Sequence, residues 1–167
     1  FAVAYKNTGL GGGAPDRATA EVEVWAGERA EVRISSAEMG PGLPGVLAAC
    51  AAEELRLPVE NVAVLLGDTD YCPDGGPTTA SRQTFVSGNA VRLAARQAAT
   101  ELAGGDEHAL VRYDYEAPQT QPLGTGGDMH FAFSFCAQAA LVEVETKTGE
   151  VHVRKMIAAH DVGRAIN

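Results

Sequence analysis

The amino-acid sequence predicts an α+β fold in two layers, a mixed β-sheet with hairpins and two main helices packed on one face. Residues 20–34 and 140–155 alternate polar and apolar side chains around short turns, as hairpins with one solvated face do. Residues 83–102 space their apolar side chains mostly as a helix does, and residues 43–55 form a second helical segment that Pro58 follows. The elements follow the order β-ββ-α-β-α-β-ββ, which favours helices layered on a sheet.

The first third of the chain is predicted to be a strand, a loop and a hairpin. Residues 1–8 are typical of a short strand, and the glycine-rich segment Gly9 to Asp16 is typical of a loop. That loop loosely matches the dinucleotide fingerprint G-x-G-x-x-A, but a strand pattern follows it where the fingerprint needs a helix. We therefore interpret the match as accidental. Residues 20–24 and 30–34 form the hairpin, around Ala26-Gly27-Glu28.

Two helices and one strand are predicted in the middle of the chain. The first helix runs from Leu43 to Leu55, with Pro44 in its first turn, where proline is tolerated. Residues 61–66 form a strand rich in valine and leucine. The second helix runs over 83–102, with Ser81 as its N-cap and two glycines at its end.

The last third is predicted to be a loop and a second hairpin. The polar stretch 117–128 is rich in proline and glycine and indicates a loop or a weak internal boundary. The hairpin pairs 140–145 with 150–155. We expect residues 1–167 to be a single fragment of one domain, with possible sub-units 1–104 and 105–167. The chain begins in mid-strand without an initiator methionine, so we expect a piece of a longer polypeptide.

Composition excludes several classes of function. The net charge is −9, and no basic stripe is present, which argues against nucleic-acid binding. No apolar run approaches the roughly 18 residues of a membrane-spanning helix. The three cysteines are widely spaced and odd in number, which favours a reducing compartment and a cytoplasmic location over a disulfide framework.

Two glycine-rich loops open the predicted helices. Gly40-Pro41-Gly42 precedes the first, and the segment Gly75 to Ser81 precedes the second. Unpaired N–H groups and the positive end of the helix dipole make such loops natural anion sites. Neither loop has the Gly-Lys-Ser/Thr ending of a P-loop. The residues alone leave open ordinary helix connections, a non-catalytic nucleotide- or phosphate-binding module, and a structural assembly domain.

No other side chain stands out as a catalytic or metal-binding group. The four histidines lack the local spacing of a metal site, so we predict no metal-ligating residue. Glu38 suits an acid/base group, but solvated or loop-bracing carboxylates are much commoner. Cys72 has no histidine close in sequence, so we interpret it as a bystander.

Several segments, in the same order, resemble the molybdenum-binding subunit of the xanthine dehydrogenase/aldehyde oxidase family, the molybdenum hydroxylases. Glu38 to Gly42 resembles the family's E-M-G-Q-G loop, with Pro41 in place of glutamine. Gly76 to Thr84, after Asp68-Thr69, resembles its G-x-T-x-A-S-R-x-T segment. Gly88 to Val91 and Ala158 to Asn167 resemble two later motifs. The resemblance covers most of residues 36–167 and identifies an internal fragment of the molybdopterin-binding domain.

The resemblance implies a cofactor and a set of contacts. The cofactor is molybdopterin, in its mononucleotide or cytosine-dinucleotide form, whose dithiolene sulfurs hold the metal in place of protein ligands. Thr79 and Ala80 are implied to lie nearest the metal and the substrate. The implied cofactor-binding residues are Gly40, Gly42, Thr78, Thr79, Ala80, Ser81, Arg82, Gln83 and Thr84.

The resemblance also implies an activity and partners. Family enzymes hydroxylate a purine-like heterocycle, or oxidise an aldehyde, with oxygen derived from water. Iron–sulfur clusters and FAD are expected on other domains or subunits, beside the remaining domains of the molybdenum subunit. The family's catalytic glutamate lies in a motif after the one that ends at Asn167. We therefore expect no catalytic residue in this fragment and no activity from it alone.

Overall fold

The computed structural model describes residues 1–166, which form seven strands and two α-helices. A 3₁₀ turn spans Val59–Asn61 and a π-helical turn spans Gln83–Ser87. In chain order the elements are β1 Ala2–Thr8, β2 Arg17–Trp25, β3 Arg29–Ile34, α1 Leu43–Leu55, β4 Val62–Leu66, α2 Gly88–Ala103, β5 His108–Glu116, β6 Ala132–Val144 and β7 Val151–Asp161.

The chain divides into two compact units. The smaller unit comprises residues 1–7 and 132–165, and the larger comprises residues 8–131 with residue 166. The larger unit extends across residue 104, the point at which the sequence suggested a division.

The larger unit is built on a four-stranded mixed sheet in the order β4-β3-β2-β5. Strand β2 runs antiparallel to β3 and to β5, with Val22 opposite Val32 on one side and Val111 on the other. Strand β3 runs parallel to β4, because the connection through α1 returns the chain to the end of the sheet at which β3 began. The predicted α+β class and mixed sheet are confirmed.

Period-two alternation decides which face of this sheet is covered. In β2, Ala20, Val22 and Val24 are buried, while Glu21 and Glu23 lie on the other face. Helices α1 and α2 complete one continuous apolar core with the buried face, mainly through alanines. Small side chains let the helices lie close to each other and to the sheet. The prediction of two helices packed on one face is confirmed.

The helix boundaries agree with the predicted ones, except at the start of the second helix. Helix α1 has the predicted bounds, and α2 ends one residue after the predicted position. The predicted second helix begins with the π-helical turn, and the chain becomes α-helical only at Gly88. The prediction of Ser81 as N-cap is wrong, because no side chain caps this turn and Ser81 has a φ of +53°.

The smaller unit is a three-stranded sheet with β6 in the centre, in the order β1-β6-β7. Strands β6 and β7 are antiparallel, with a register shift at Leu141/Val142, which confirms the second hairpin and lengthens it. Tyr5, Phe133 and Phe135 form an exposed aromatic cluster with ring centroids 5.9 to 6.4 Å apart.

No helix within residues 1–166 is both long enough and apolar enough to cross a membrane. Cys50, Cys72 and Cys136 are all free thiols.

Candidate functional site

The segment between β4 and the second helix contains a strained turn. Ala80 and Ser81 have φ angles of +50° and +53°, and they are two of the three non-glycine residues with positive φ among the described residues. This left-handed conformation costs an L-residue with a Cβ about 1–2 kcal/mol. Consecutive strained residues persist where the surrounding structure holds them, and such residues cluster at functional sites.

The same turn leaves a run of backbone donors without partners. None of the residues that the structure describes accepts a hydrogen bond from the N–H groups of Thr78, Thr79, Ala80 or Ser81. The turn is closed instead by the N–H of Arg82, which donates to the carbonyl of Thr79 at 3.1 Å. Successive unpaired N–H groups in a left-handed turn can together bind an anion.

The turn lines a cavity of about 450 Å³ that it shares with the start of α1. One wall is formed by residues 78–84. The other wall is apolar and contains Met39, Pro41, Leu43 and Val46. This volume lies within the range of about 300–1,000 Å³ that small-molecule and cofactor sites occupy. The structure therefore brings together the two loops that the sequence singled out.

The N–H groups at the start of α1 are already occupied by Glu38. Its carboxylate accepts hydrogen bonds from Gly42 at 3.2 Å and from Leu43 at 2.5 Å, and it also accepts one from Gly40. Gly40 and Gly42 have φ angles of +104° and +84°, which glycine adopts without strain. The loop-bracing interpretation of Glu38 is confirmed.

These donors change the protonation of Glu38. Desolvation is the largest single influence and acts to raise the pKa. Hydrogen bonds from the backbone of Gly42, Gly40 and Leu43 act together in the opposite direction, and the net effect is a pKa below the ordinary glutamate value. The carboxylate is therefore ionised at neutral pH and is the anion held at this helix N-terminus.

Gln83 fixes the cavity wall to the end of β3. Its Nε2 donates to Oγ1 of Thr78 at 3.0 Å and to the carbonyl of Pro77 at 3.2 Å. Its Oε1 accepts hydrogen bonds from the buried hydroxyls of Ser36 and Ser87. Oγ1 of Thr78 also accepts from the N–H of Ala37 at 2.9 Å.

Arg82 points away from the cavity and into the protein. Its side chain has no exposed surface, and its Nε donates to Oδ1 of Asp16 at 2.6 Å. Its Nη1 donates to the carbonyls of Gly75 and Pro77, and its Nη2 donates to the carbonyl of Arg17. The guanidinium thus binds backbone carbonyls of the loop that surrounds it, while the neighbouring residues line the cavity.

Sequence reasoning missed Asp16. The prediction of a loop over Gly9–Asp16 is confirmed, but nothing in its composition distinguished Asp16 from a solvated turn residue. The available signal was Arg82 itself, because an arginine just before an apolar helix has to be paired if it is buried. A search for its partner would have considered an aspartate that directly precedes a buried strand.

Cys72 and Asp161 each make a local contact. The thiol of Cys72 contacts the carbonyl oxygen of Leu65 at 3.4 Å. Asp161 accepts from the N–H of Gly163 at 3.2 Å, as a turn after a strand does. Among residues 1–166, no three His, Cys, Asp or Glu side chains come together in a way that could hold a metal ion.

Comparison with known proteins gives one consistent family. The family described as the molybdopterin cofactor-binding domain matches residues 1–112 and 106–167. A probable hypoxanthine oxidase of Escherichia coli K12 is 31% identical over 166 residues, which cover 81% of this chain and 17% of that protein. The gamma subunit of the 6-hydroxypseudooxynicotine dehydrogenase complex of Paenarthrobacter nicotinovorans is 36% identical over 99 residues, covering 55% of this chain and 12% of that one.

A solved structure shows the same fold. The aldehyde oxidoreductase of Desulfovibrio desulfuricans superposes with a TM-score of 0.83 at 26% identity, over 99% of this chain and 20% of that one. The chain thus spans about a fifth or less of the length of these relatives. The comparisons support cofactor binding, and they do not support the phosphate-binding module or the assembly domain. The chain belongs to the molybdopterin cofactor-binding domain family, in the group of the xanthine dehydrogenases and aldehyde oxidoreductases.

Proposed function

We propose that this chain forms part of the molybdopterin site of a molybdenum hydroxylase. The enzyme would hydroxylate a purine-like heterocycle or oxidise an aldehyde, with oxygen derived from water. One observation carries the proposal: the unpartnered N–H groups of residues 78–81 line a cavity of suitable size. The probable hypoxanthine oxidase and the aldehyde oxidoreductase among the relatives support the two substrate classes.

The chemistry of the cavity fits the proposed cofactor. Molybdopterin carries a phosphate, or a pyrophosphate in its dinucleotide form, and a pterin edge with several donors and acceptors. The N–H groups of Ala80 and Ser81 suit the phosphate oxygens. The hydroxyls of Thr79, Ser81 and Thr84, which are all exposed, suit the pterin edge. Oγ1 of Thr78 is held by Gln83 and Ala37, so Thr78 contributes a fixed wall.

The glycines of the first loop contribute in a different way. The N–H groups of Gly40 and Gly42 donate to Glu38, so their part is to set the path of the chain past the cavity. Pro41 places an apolar ring on the cavity wall between them. This wall excludes water on the side opposite the donors of residues 78–81, which strengthens the interactions that those donors make.

The cofactor, when bound, supplies the redox chemistry at its metal, and the protein supplies binding, orientation and exclusion of water. Within this chain the residues of the proposed cavity perform only the second task. Iron–sulfur clusters, FAD and the remaining domains of the molybdenum subunit would be the partners. A cytoplasmic location agrees with three thiols that remain unpaired.

The proposal is tested by the content of the full-length enzyme to which this chain belongs, purified in its native state. Enzyme made in cells that synthesise the cofactor is expected to carry molybdenum and a pterin in equal amounts. A nucleotide released by mild acid hydrolysis would identify the dinucleotide form, and its absence the mononucleotide form. Native protein without molybdenum and pterin would overturn the proposal.

The location of the cofactor is tested by hydrogen exchange. The loaded protein is compared with protein from cells that cannot make the cofactor. Exchange in a peptide spanning 77–84 is expected to slow on loading, while exchange in a peptide from β5, residues 108–116, stays the same. Loading without any change in 77–84 would contradict the proposed site.

A further inference from the structure

Asp16 joins two segments that lie far apart in the sequence. Its Oδ2 accepts a hydrogen bond from the N–H of Leu10 at 2.8 Å, and its Oδ1 accepts from Nε of Arg82 at 2.6 Å. The Asp16 and Arg82 side chains are only 3% and 0% exposed. A buried charge pair is costly unless its geometry is good, and here every buried side-chain N or O atom within residues 1–166 has a hydrogen-bond partner.

A third hydrogen bond closes these contacts into a ring. The N–H of Gly9 donates to the carbonyl of Ala80 at 3.0 Å. The ring therefore runs from Asp16 through Leu10 and Gly9 to Ala80, and then through Ser81 and Arg82 back to Asp16. The two left-handed residues of the cavity lie inside this ring, between two fixed points.

The guanidinium of Arg82 also fixes the chain as it enters the turn. It donates to the carbonyls of Gly75 at 3.0 Å and Pro77 at 2.8 Å. A further N–H reaches the carbonyl of Arg17, at the start of β2. Lysine has the charge but not this planar set of donors, so it could not hold all of these acceptors at once.

This ring accounts for the persistence of the strained turn. Ala80 and Ser81 each favour the right-handed region by about 1–2 kcal/mol. If the ring opened, both residues could relax, and their N–H groups would turn away from their present directions. The surrounding hydrogen bonds thus decide which way the donors point.

We propose that Asp16 and Arg82 are positioning residues for the cofactor. The buried pair holds the turn at Ala80 and Ser81 in the conformation that presents its N–H groups to the phosphate of the cofactor. Neither side chain touches the cofactor itself. This inference rests on the proposed function of the chain.

The experiment compares two variants of the ring with one variant of the core. Asp16→Asn removes the charge and one acceptor, and Arg82→Lys removes the planar donor set. Val91→Ala, in the buried face of α2, serves as a control that loosens the core without touching the ring. All are purified from cells that make the cofactor and compared at temperatures equally far below their melting temperatures.

Two measurements separate positioning from stability. The first is molybdenum and pterin per chain. A hydrogen bond to a charged group contributes about tenfold or more in affinity, so we expect about a tenfold loss of retained cofactor in the ring variants, whose N–H groups turn away from the phosphate. The second is exchange of the 77–84 peptide in cofactor-free protein, which should be faster in both ring variants and unchanged in Val91→Ala.

Ring variants that retain as much cofactor as Val91→Ala, with unchanged exchange in 77–84, would overturn the inference and leave the proposed function intact. A wild-type protein without cofactor would instead overturn the proposed function. If both ring variants fail to fold, native-state hydrogen exchange of the wild type tests the inference instead. The amides of Gly9, Leu10 and Arg82 should exchange with the same opening free energy, and unequal values would contradict a single closed ring.

Discussion

The hydroxyl of Ser36 donates a hydrogen bond to Oε1 of Gln83 at 2.7 Å, which joins the end of β3 to the first residue of the π-helical turn. Ser36 is fully buried, and the other end of the Gln83 amide holds Thr78. One side chain thus connects the sheet, the second helix and the wall of the cavity.

Gln83→Leu is expected to destabilise the fold by about 1–3 kcal/mol, because it leaves the buried hydroxyls of Ser36 and Ser87 without this acceptor. The free energy of unfolding is measured by chemical denaturation. Gln97→Leu is the matched control, since the Gln97 side chain is exposed and its amide donates to the carboxylate of Glu101 one turn along the same helix. Equal effects at the two positions would contradict the role given to Gln83.

Glu38→Gln is expected to disorder the loop at 38–43 in a pH-dependent way. Because the folded protein lowers the pKa of Glu38, its contribution to stability is present above 4.5, the ordinary value, and is lost as the pH falls through the folded pKa. The difference in melting temperature between wild type and Glu38→Gln should therefore be largest near neutral pH and shrink in acid.

The control for that experiment is Glu28→Gln, at the exposed turn between β2 and β3. It makes the same change of charge away from any helix start. A difference that grows in acid, or one that Glu28→Gln reproduces, would contradict the bracing role of Glu38.

Ala80→Gly is expected to leave the fold unchanged in stability or to stabilise it by up to about 1 kcal/mol. Glycine removes the strain of the left-handed conformation but loses more backbone entropy on folding. Ala49→Gly, the same substitution inside α1, should instead destabilise by about 0.5–1 kcal/mol. Thermal unfolding of both variants checks this. If Ala80→Gly destabilises the protein as much as Ala49→Gly does, the backbone at Ala80 is not strained.

Glu54→Gln is expected to destabilise the packing of α1 on α2. Hydrogen bonds from Arg96 and then Arg92 hold the pKa of the Glu54 carboxyl below its ordinary value, and the three groups join the two helices. The arginines are partly exposed, so we expect a loss of only about 0.5–1 kcal/mol.

Salt provides the check on that ion pair. The effect of Glu54→Gln should shrink when the ionic strength is raised from 0.1 M to 1 M, because the Debye length falls from about 10 to 3 Å. Glu107→Gln, at an exposed position before β5, should change stability little at either concentration. A salt-independent loss at Glu54 would indicate packing rather than charge.

The elements that the sequence predicted are those with a strong local signal. Strand β2 alternates valine with glutamate, and helix α1 has a proline in its first turn and another soon after its end, so each was identifiable from local residues alone. The start of the second helix was not identifiable in the same way. A π-helical turn and a left-handed Ser81 arise from contacts with distant residues, and Ser81 resembles an ordinary N-cap in sequence.

The candidate site was predictable in its main part and not in its support. Residues 78–84 were identifiable because glycine, proline and hydroxyl residues cluster before a helix. The role of Arg82 was not, since its burial depends on Asp16, 66 residues away in the sequence. The occupation of the Gly40 and Gly42 donors by Glu38 depends on the folded path of a short loop, which composition does not determine.

The order of strands in the smaller sheet has a consequence for biosynthesis. Strand β1 pairs with β6, which begins about 120 residues later, so no partner exists for β1 until that stretch has been translated. At about 5–20 residues per second the delay is roughly 6–24 s, during which residues 8–131 are able to fold. Over that period the backbone N–H and C=O groups of β1 have no neighbouring strand to pair with, and an unpaired apolar strand of this kind is the segment that a chaperone would protect on the nascent chain.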